Sequence, residues 1–307
     1  MTALLEQHAR ADLASVPSAL PWQARLTLGF ADDGGTTRLV ERSHFGPLRV
    51  QKALYPEGPR ICHAIVVHPP GGVVGGDQLT LEVGVGAGAH ALIATPGAAK
   101  WYKARKVAEA SRQHVRLNIA AGARLEYLPQ ESLFFDAAEV QLTQSVELGA
   151  GARYIGCDML CFGRTASGET FNTGKVSQHT SIRQQGKLIW WEQSLLAGGS
   201  SAMRSPLGLN GNTVCATLIA CGMTRPLPAA ALQAMRQEIQ RICDEDKKGA
   251  GNAEAGNFGI SLVKTVLVAR YLGASSETAR RAMLCVWRTL RPELMECAAV
   301  VPRIWNT

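Results

Sequence analysis

Four carboxylates stand beside apolar segments of this 307-residue chain: Asp77, Glu131, Asp158 and Glu169. A carboxylate in such company is costly to bury unless it is paired or put to use. Each is therefore half of an ion pair, with Lys100 or Arg164 as counter-ion, or a group that meets something else. Asp77 closes the most constrained stretch of the sequence, His68-Pro69-Pro70-Gly71-Gly72-Val73-Val74-Gly75-Gly76-Asp77. Prolines fix φ and glycines permit positive φ, so this run specifies a rigid loop that presents something. His68, on the shoulder of the loop, is a site candidate. His63 lies five residues earlier on the same strand, on the opposite face, and reads as structural.

Several chemistries lack their residues. Gly71 to Gly76 has P-loop glycine spacing, but Asp77 and Gln78 stand where Lys and Ser/Thr would hold phosphates and Mg²⁺, and a carboxylate there repels phosphate. Gly84, Gly86 and Gly88 miss the later spacing of a dinucleotide fingerprint. There is no Gly-x-Ser-x-Gly elbow and no HExxH, and the carboxylates have no recognisable catalytic spacing, so a hydrolase has no supporting constellation. Neither Cys157/Cys161 nor Cys215/Cys221 makes the paired CxxC of a structural zinc site.

With 46% hydrophobic and 19% charged residues the composition is that of a soluble globular protein. The first residues carry charges throughout and lack the apolar core of a secretory signal, and no stretch reaches 18 uncharged apolar residues. The expectation is a cytoplasmic protein with its eight cysteines as reduced thiols, most of them small core residues. The net charge of +7 is uneven: from Lys100 to Arg116 six bases face the single acid Glu109. Such a patch predicts an acidic partner. Because Trp101 and Tyr102 sit among Lys100, Lys103, Arg105 and Lys106, a single-stranded nucleic-acid binder is the alternative reading.

The elements that position these residues read as β-strands. Trp22 to Phe30 alternates apolar and polar residues, Asp32 to Gly35 supplies a turn, and Thr36 onward resumes the extended pattern. Gly46 to Gly58 reads as a further strand leading into Ile61-Cys62-His63-Ala64-Ile65-Val66-Val67. Three Gly-Ala turns, at Gly88, Gly122 and Gly151, lie 34 and 29 residues apart, each between two short strands. This pattern implies stacked β layers with β-helix character. Pro129 should break a strand and place Gln130 and Glu131 on a bend. Helices come late. One follows Pro228 and puts Leu232, Met235, Ile239 and Ile242 on one face; the other starts near Ser275, buries Ala279, Ala282, Met283, Val286, Trp287 and Leu290, and ends before Pro292. The fold class is mainly β, with stacked irregular layers, β-helix character and a small C-terminal helical part. Residues 1–20 form a flexible N-terminal segment, and residues 21–307 a single β domain with two late helices.

Six stretches in order resemble the urease accessory protein family UreD, also called UreH: GPLRVQKALYPEG, HPPGGVVGGDQL, TPGAAKWY, LPQES-x-FF, LCFGRTASGE and the terminal LRPELMECAAVVPRIWNT. The resemblance covers nearly the whole chain. It implies a mostly β fold with a small helical part and a role without catalysis. It implies binding to UreF, through it to the GTPase UreG, and docking on urease apoprotein as a dimer of heterocomplexes, with neither nucleic acid nor membrane as partner. Nickel(2+) would pass transiently through the protein, with no tight metal site. An ion in transit suits carboxylates and water better than tight imidazole or thiolate chelation. The expected nickel contacts are Asp77, Glu131, Asp158 and Glu169, with His68 a weaker one. Lys100, Tyr102 and Arg164 are expected as counter-ions or partner contacts, and Pro69, Pro70, Gly71, Gly72, Gly75 and Gly76 as the structural loop.

Overall fold

A computed structural model describes residues 21–104, 110–249 and 256–306. The chain opens with a hairpin, β1 (Gln23–Asp33) and β2 (Thr36–Phe45), followed by the short β3 (Arg49–Val50) and β4 (Ile61–Val67). It continues through β5 (Gln78–Val85), β6 (His90–Ala94), β7 (Ala99–Trp101), β8 (Ser111–Ile119), β9 (Arg124–Leu128), β10 (Ser132–Phe134), β11 (Glu139–Leu148) and β12 (Arg153–Phe162). A second hairpin, β13 (Lys175–Gln184) and β14 (Lys187–Ala197), precedes the single helical turn α1 (Ser201–Arg204). Then come β15 (Val214–Cys221), α2 (Ala229–Gly249), β16 (Asn257–Val263), β17 (Val266–Gly273) and α3 (Ser276–Met295).

The strands make two facing sheets. One has the order β14-β13-β11-β8-β5-β1-β2, the other β16-β17-β15-β12-β9-β6-β4-β3. From β5 to β13 the chain alternates between them, and neighbours within each sheet run parallel: β5 with β8, β8 with β11 and β11 with β13 in the first, β6 with β9 and β9 with β12 in the second. This is the coil of a β-helix, as the turn repeat implies. Each Gly-Ala turn carries the chain from the first sheet to the second, and Gly88, Gly122 and Gly151 adopt φ of 78°, 69° and 66°, which L side chains rarely take.

On the third side of the coil β7 pairs with β10 and β10 with β12. There Trp101, Phe134, Phe162 and Phe171 follow one another at centroid distances of 6.2, 5.5 and 5.7 Å, an aromatic ladder along the coil axis. One apolar core fills the space between the sheets, and a second lies between the outer face of the second sheet and the helices α2 and α3. For that reason β4, β6 and β12 are buried on both faces and read as continuous apolar runs rather than alternating ones.

Two sequence expectations need correction. The stretch Gly46 to Gly58 forms only β3 and an isolated bridge between Leu54 and His63. Within it Pro47 and Pro56 each lack the N–H a ladder needs. Helix α3 does not end before Pro292 but runs through it to Met295. Pro292 withholds the helical hydrogen bond to the Arg288 carbonyl, yet Arg291, Leu294 and Met295 are all buried and hold the last turn in place. The start of α3 is as expected: the Ser275 side chain accepts a hydrogen bond from the Thr278 N–H. Ser275→Ala is expected to lower stability by about 1 kcal/mol, read as a shift in the urea unfolding midpoint at constant slope. The face of α2 is also as expected, with Met235, Ile239 and Ile242 buried. The segment 1–20 lies outside the described residues.

Candidate functional site

The proline–glycine loop is built as a rigid support. Gly71 and Gly76 take φ of 76° and 92°. The Asp77 carboxylate accepts hydrogen bonds from the Trp22 N–H at 2.9 Å and the Val74 N–H at 3.0 Å, tying the loop to itself and to the start of β1. A Cβ at Gly72 would lie 2.1 Å from the Tyr102 ring, so only glycine lets the two meet. Tyr102 in turn stands edge-on to Phe135 at 4.8 Å, and the Arg164 guanidinium lies over Phe135, 4.4 Å from its centroid. Arg164 closes the chain of contacts on Glu169, with Nε donating to Oε2 at 2.7 Å. Stretches far apart in sequence are thus joined along the third side of the coil, beside the aromatic ladder.

Behind this side, between the two sheets, lies a cavity of about 250 Å³. Its mouth is framed by His68, Gly71, Gly72 and the turn Pro96–Lys100. Its wall is largely apolar and carries the amides of Gln113, Gln130, Gln144 and Gln178. Among the described lining residues the one carboxylate is Asp158. Asp158 lies deep among protein atoms, and what exposure it keeps is to the cavity. Gln178 Nε2 donates to its Oδ2 at 3.3 Å. Burial first, and then the charge of Glu192, push the Asp158 carboxyl up to about 6. At the mouth, burial lowers the His68 imidazole, and the charge of Asp77 opposes that shift in part.

On the other side of the second sheet lies a buried ionic cluster. Arg291 and Glu126 are both 0% exposed. Arg291 Nε donates to both Glu126 oxygens at 3.1 Å, and its Nη2 donates to Glu57 Oε1 at 2.8 Å. Glu126 also pairs with His90 Nε2 at 2.8 Å and accepts from Trp287 Nε1 at 2.6 Å, while Glu57 pairs with His63 Nε2 at 2.7 Å. Burial works to raise Glu57, but the hydrogen bonds from His63 and Arg291 outweigh it and hold the carboxyl at about 2. A folded-state value below the ordinary 4.5 means stability that is present above that pH and is lost as pH falls from about 4.5 towards 2. Acid titration followed by tryptophan fluorescence is expected to show unfolding across that window, and Glu57→Gln to flatten the dependence.

Of the sequence-derived candidates, the cavity brings together His68, Gly71, Gly72, Lys100 and Asp158. It does not include Asp77, Glu131 or Glu169. Glu131 pairs with Arg280 at 2.7 Å rather than with Lys100, and Glu169 pairs with Arg164 as anticipated. His63 is structural, as its place on the strand suggested. The premise of the nucleic-acid alternative is corrected: Trp101 is fully buried in the aromatic ladder and Tyr102 is packed on Gly72 and Phe135, so this pair offers bases no stacking platform. Arg105 and Lys106 lie outside the described residues. The cluster around Glu126 and Arg291 was not singled out in the sequence. The available signal was a charge in the middle of an apolar run, in Arg124-Leu125-Glu126-Tyr127-Leu128 and in the last turns of α3.

All eight cysteines are free thiols. Among the described residues no three His, Cys, Asp or Glu side chains are grouped to hold a metal ion, and no helix is long and apolar enough to cross a membrane. Fold and site together define a β-helical scaffold built around a largely apolar chamber whose described lining carries four glutamine amides and one carboxylate. Comparison with known proteins places that scaffold: the family described as UreD urease accessory protein matches residues 23–306, and the chain belongs to it. A urease accessory protein UreD from Janthinobacterium sp. (strain Marseille) is 58% identical over 93% of this chain and 92% of its own length. Proteins of the same name from Nitrosospira multiformis and Azoarcus sp. (strain BH72) are 52% and 43% identical, over 94% and 98% of this chain and 98% and 100% of theirs. The family role is in urease maturation.

Proposed function

We propose that the protein is a non-catalytic scaffold that binds UreF, and through it the GTPase UreG, docks on urease apoprotein in the cytoplasm, and lets nickel(2+) pass through its internal cavity towards the urease active site. The observation that carries the reading is the cavity itself, which sets Asp158 among four glutamine amides in a largely apolar wall. Carboxylate and amide oxygens are hard, weakly binding donors that release a divalent ion, whereas a cluster of thiolates or imidazoles would trap it. Asp158 is the internal contact and His68 stands at the mouth. Asp77 acts by holding the mouth in shape. Glu131 and Glu169 are tied to Arg280 and Arg164 and act at the surface, as partner contacts or ion-pair anchors. The complex forms as a dimer of heterocomplexes.

The test is co-expression with UreF, UreG and urease from the same source, followed by affinity capture and quantification of nickel in urease. A stable complex and nickel-loaded urease are the expected results. Fully loaded urease from a strain lacking this chain overturns the proposal.

A further inference from the structure

A strand that ends a sheet leaves one row of N–H and C=O groups unpaired, and natural proteins block such edges with charges, prolines, bulges or brevity. Three of the four edges of the two facing sheets are blocked in this way. β2 carries Arg38, Glu41 and Arg42, β14 carries Lys187 and Glu192, and the pairing of each contains a shift of register. β3 has only two residues. The fourth edge, β16, reads Asn257-Phe258-Gly259-Ile260-Ser261-Leu262-Val263, without charge or proline and with an unbroken register to β17. Among the described residues no further backbone hydrogen bond reaches it. Phe258 and Ile260 pack against the core beneath the helices, but Leu262, next on the same face, is 55% exposed. On the other face a Cβ at Gly259 would meet nothing within 4 Å, so the first sheet leaves this part of β16 uncovered.

We propose that β16 joins two copies of this chain, antiparallel about a two-fold axis at Ile260, into one continuous sheet. In that register the strand is complementary to itself. Phe258 lies opposite the second copy's Leu262, Leu262 opposite its Phe258, and Ile260 opposite its Ile260, so the open end of the apolar stripe is covered by the same stripe. Gly259 meets Ser261 on the other face. A chain of net charge +7 repels its copies, so a self-contact must run along an uncharged strip. Lys264, in the turn after β16, falls opposite Gly256 and about 27 Å from the second copy's Lys264 at 3.4 Å per residue, beyond the screening length of physiological salt. The proposal rests on the reading above for what is joined, two heterocomplexes, and on the strand alone for where.

Sedimentation velocity of the full-length chain over a concentration series is the test. A monomer–dimer equilibrium with a dissociation constant on the order of micromolar is expected, as suits a contact seven residues long. Leu262→Lys, at an exposed position, is expected to weaken the dimer about ten-fold, the scale for two lost apolar cross-strand pairs, with an unchanged urea unfolding midpoint. Register is read by disulfide trapping under mild oxidation, resolved by peptide mapping. Ile260→Cys should cross-link to itself, because directly opposed Cα atoms lie about 4.5–5.5 Å apart, within disulfide range. Ser261→Cys, displaced by two residues from its counterpart, should not. A chain that stays monomeric at every concentration, or a dimer indifferent to Leu262→Lys and untrapped at Ile260→Cys, overturns the proposal. UreF captured by a monomeric parent chain and lost with Leu262→Lys also overturns it, by giving the edge to a different partner. Trapping at Ile260→Cys in a chain that captures no UreF supports the edge contact and removes the scaffold reading instead.

Discussion

Glu126→Ala is expected to destabilise the protein by about 3–5 kcal/mol, the cost of breaking a fully buried ion pair by removing one partner. The carboxylate satisfies Arg291, His90 and Trp287 together, all of them buried. Its loss leaves the guanidinium with Glu57 and the Ala298 carbonyl and strands two further donors, each at its own desolvation cost. The urea unfolding midpoint at constant slope is the measurement, and a midpoint equal to that of the parent protein would refute the account. Removing both charges as Glu126→Leu with Arg291→Met is expected to cost less than the sum of the single changes. The remaining Glu57 and His63 still pair with each other, and residues of one network couple strongly.

Asp158→Asn is expected to act in two directions. In the isolated chain it should stabilise, by about 1–3 kcal/mol at neutral pH, because a carboxyl raised from 3.8 to about 6 is held in its charged form against its surroundings. The sign follows from linkage: a carboxyl whose folded value lies above its unfolded one favours folding while protonated, and that contribution is lost as pH rises from about 4 to about 6. The parent protein should therefore lose some stability across that interval from this group, and the variant should not. In the assembled complex the same change should reduce nickel delivered to urease by about ten-fold or more, the scale on which losing a group in a metal's ligand sphere lowers affinity. Gain of stability with loss of delivery marks a group kept for function at the expense of the fold. Undiminished delivery would show that the ion does not meet Asp158.

The coil was legible because its signal is local. A Gly-Ala turn demands positive φ at one residue, and three such turns between short strands disclose a stacked repeat without any knowledge of pairing. The α3 face and its Ser275 cap were legible for the same reason. What failed did so where tertiary packing overrode a local rule. Pro292 is a helix breaker by its own chemistry, but buried neighbours on both sides of it keep the helix going. Asp77 and Asp158 look alike in sequence, each an acid beside an apolar run. Only the folded chain separates one that holds two backbone N–H groups from one that faces a chamber. A charge inside an apolar run marks Glu126 as buried, but its partners are not legible from sequence because the cluster draws on four distant segments, and Glu57 meets Arg291 across 234 residues.

The parallel coil also sets the pace of self-assembly. Between β4 and β13 almost no strand can pair with its neighbour in sequence, and each must wait for a partner about one coil away to arrive. Loop-closure entropy is therefore spent before any ladder repays it, which makes such a topology an intrinsically slow folder. During that wait unpaired strand edges are open to any passing chain. Slow closure of the coil therefore makes the time its edges stay open, rather than final stability alone, the quantity that limits recovery of folded chain.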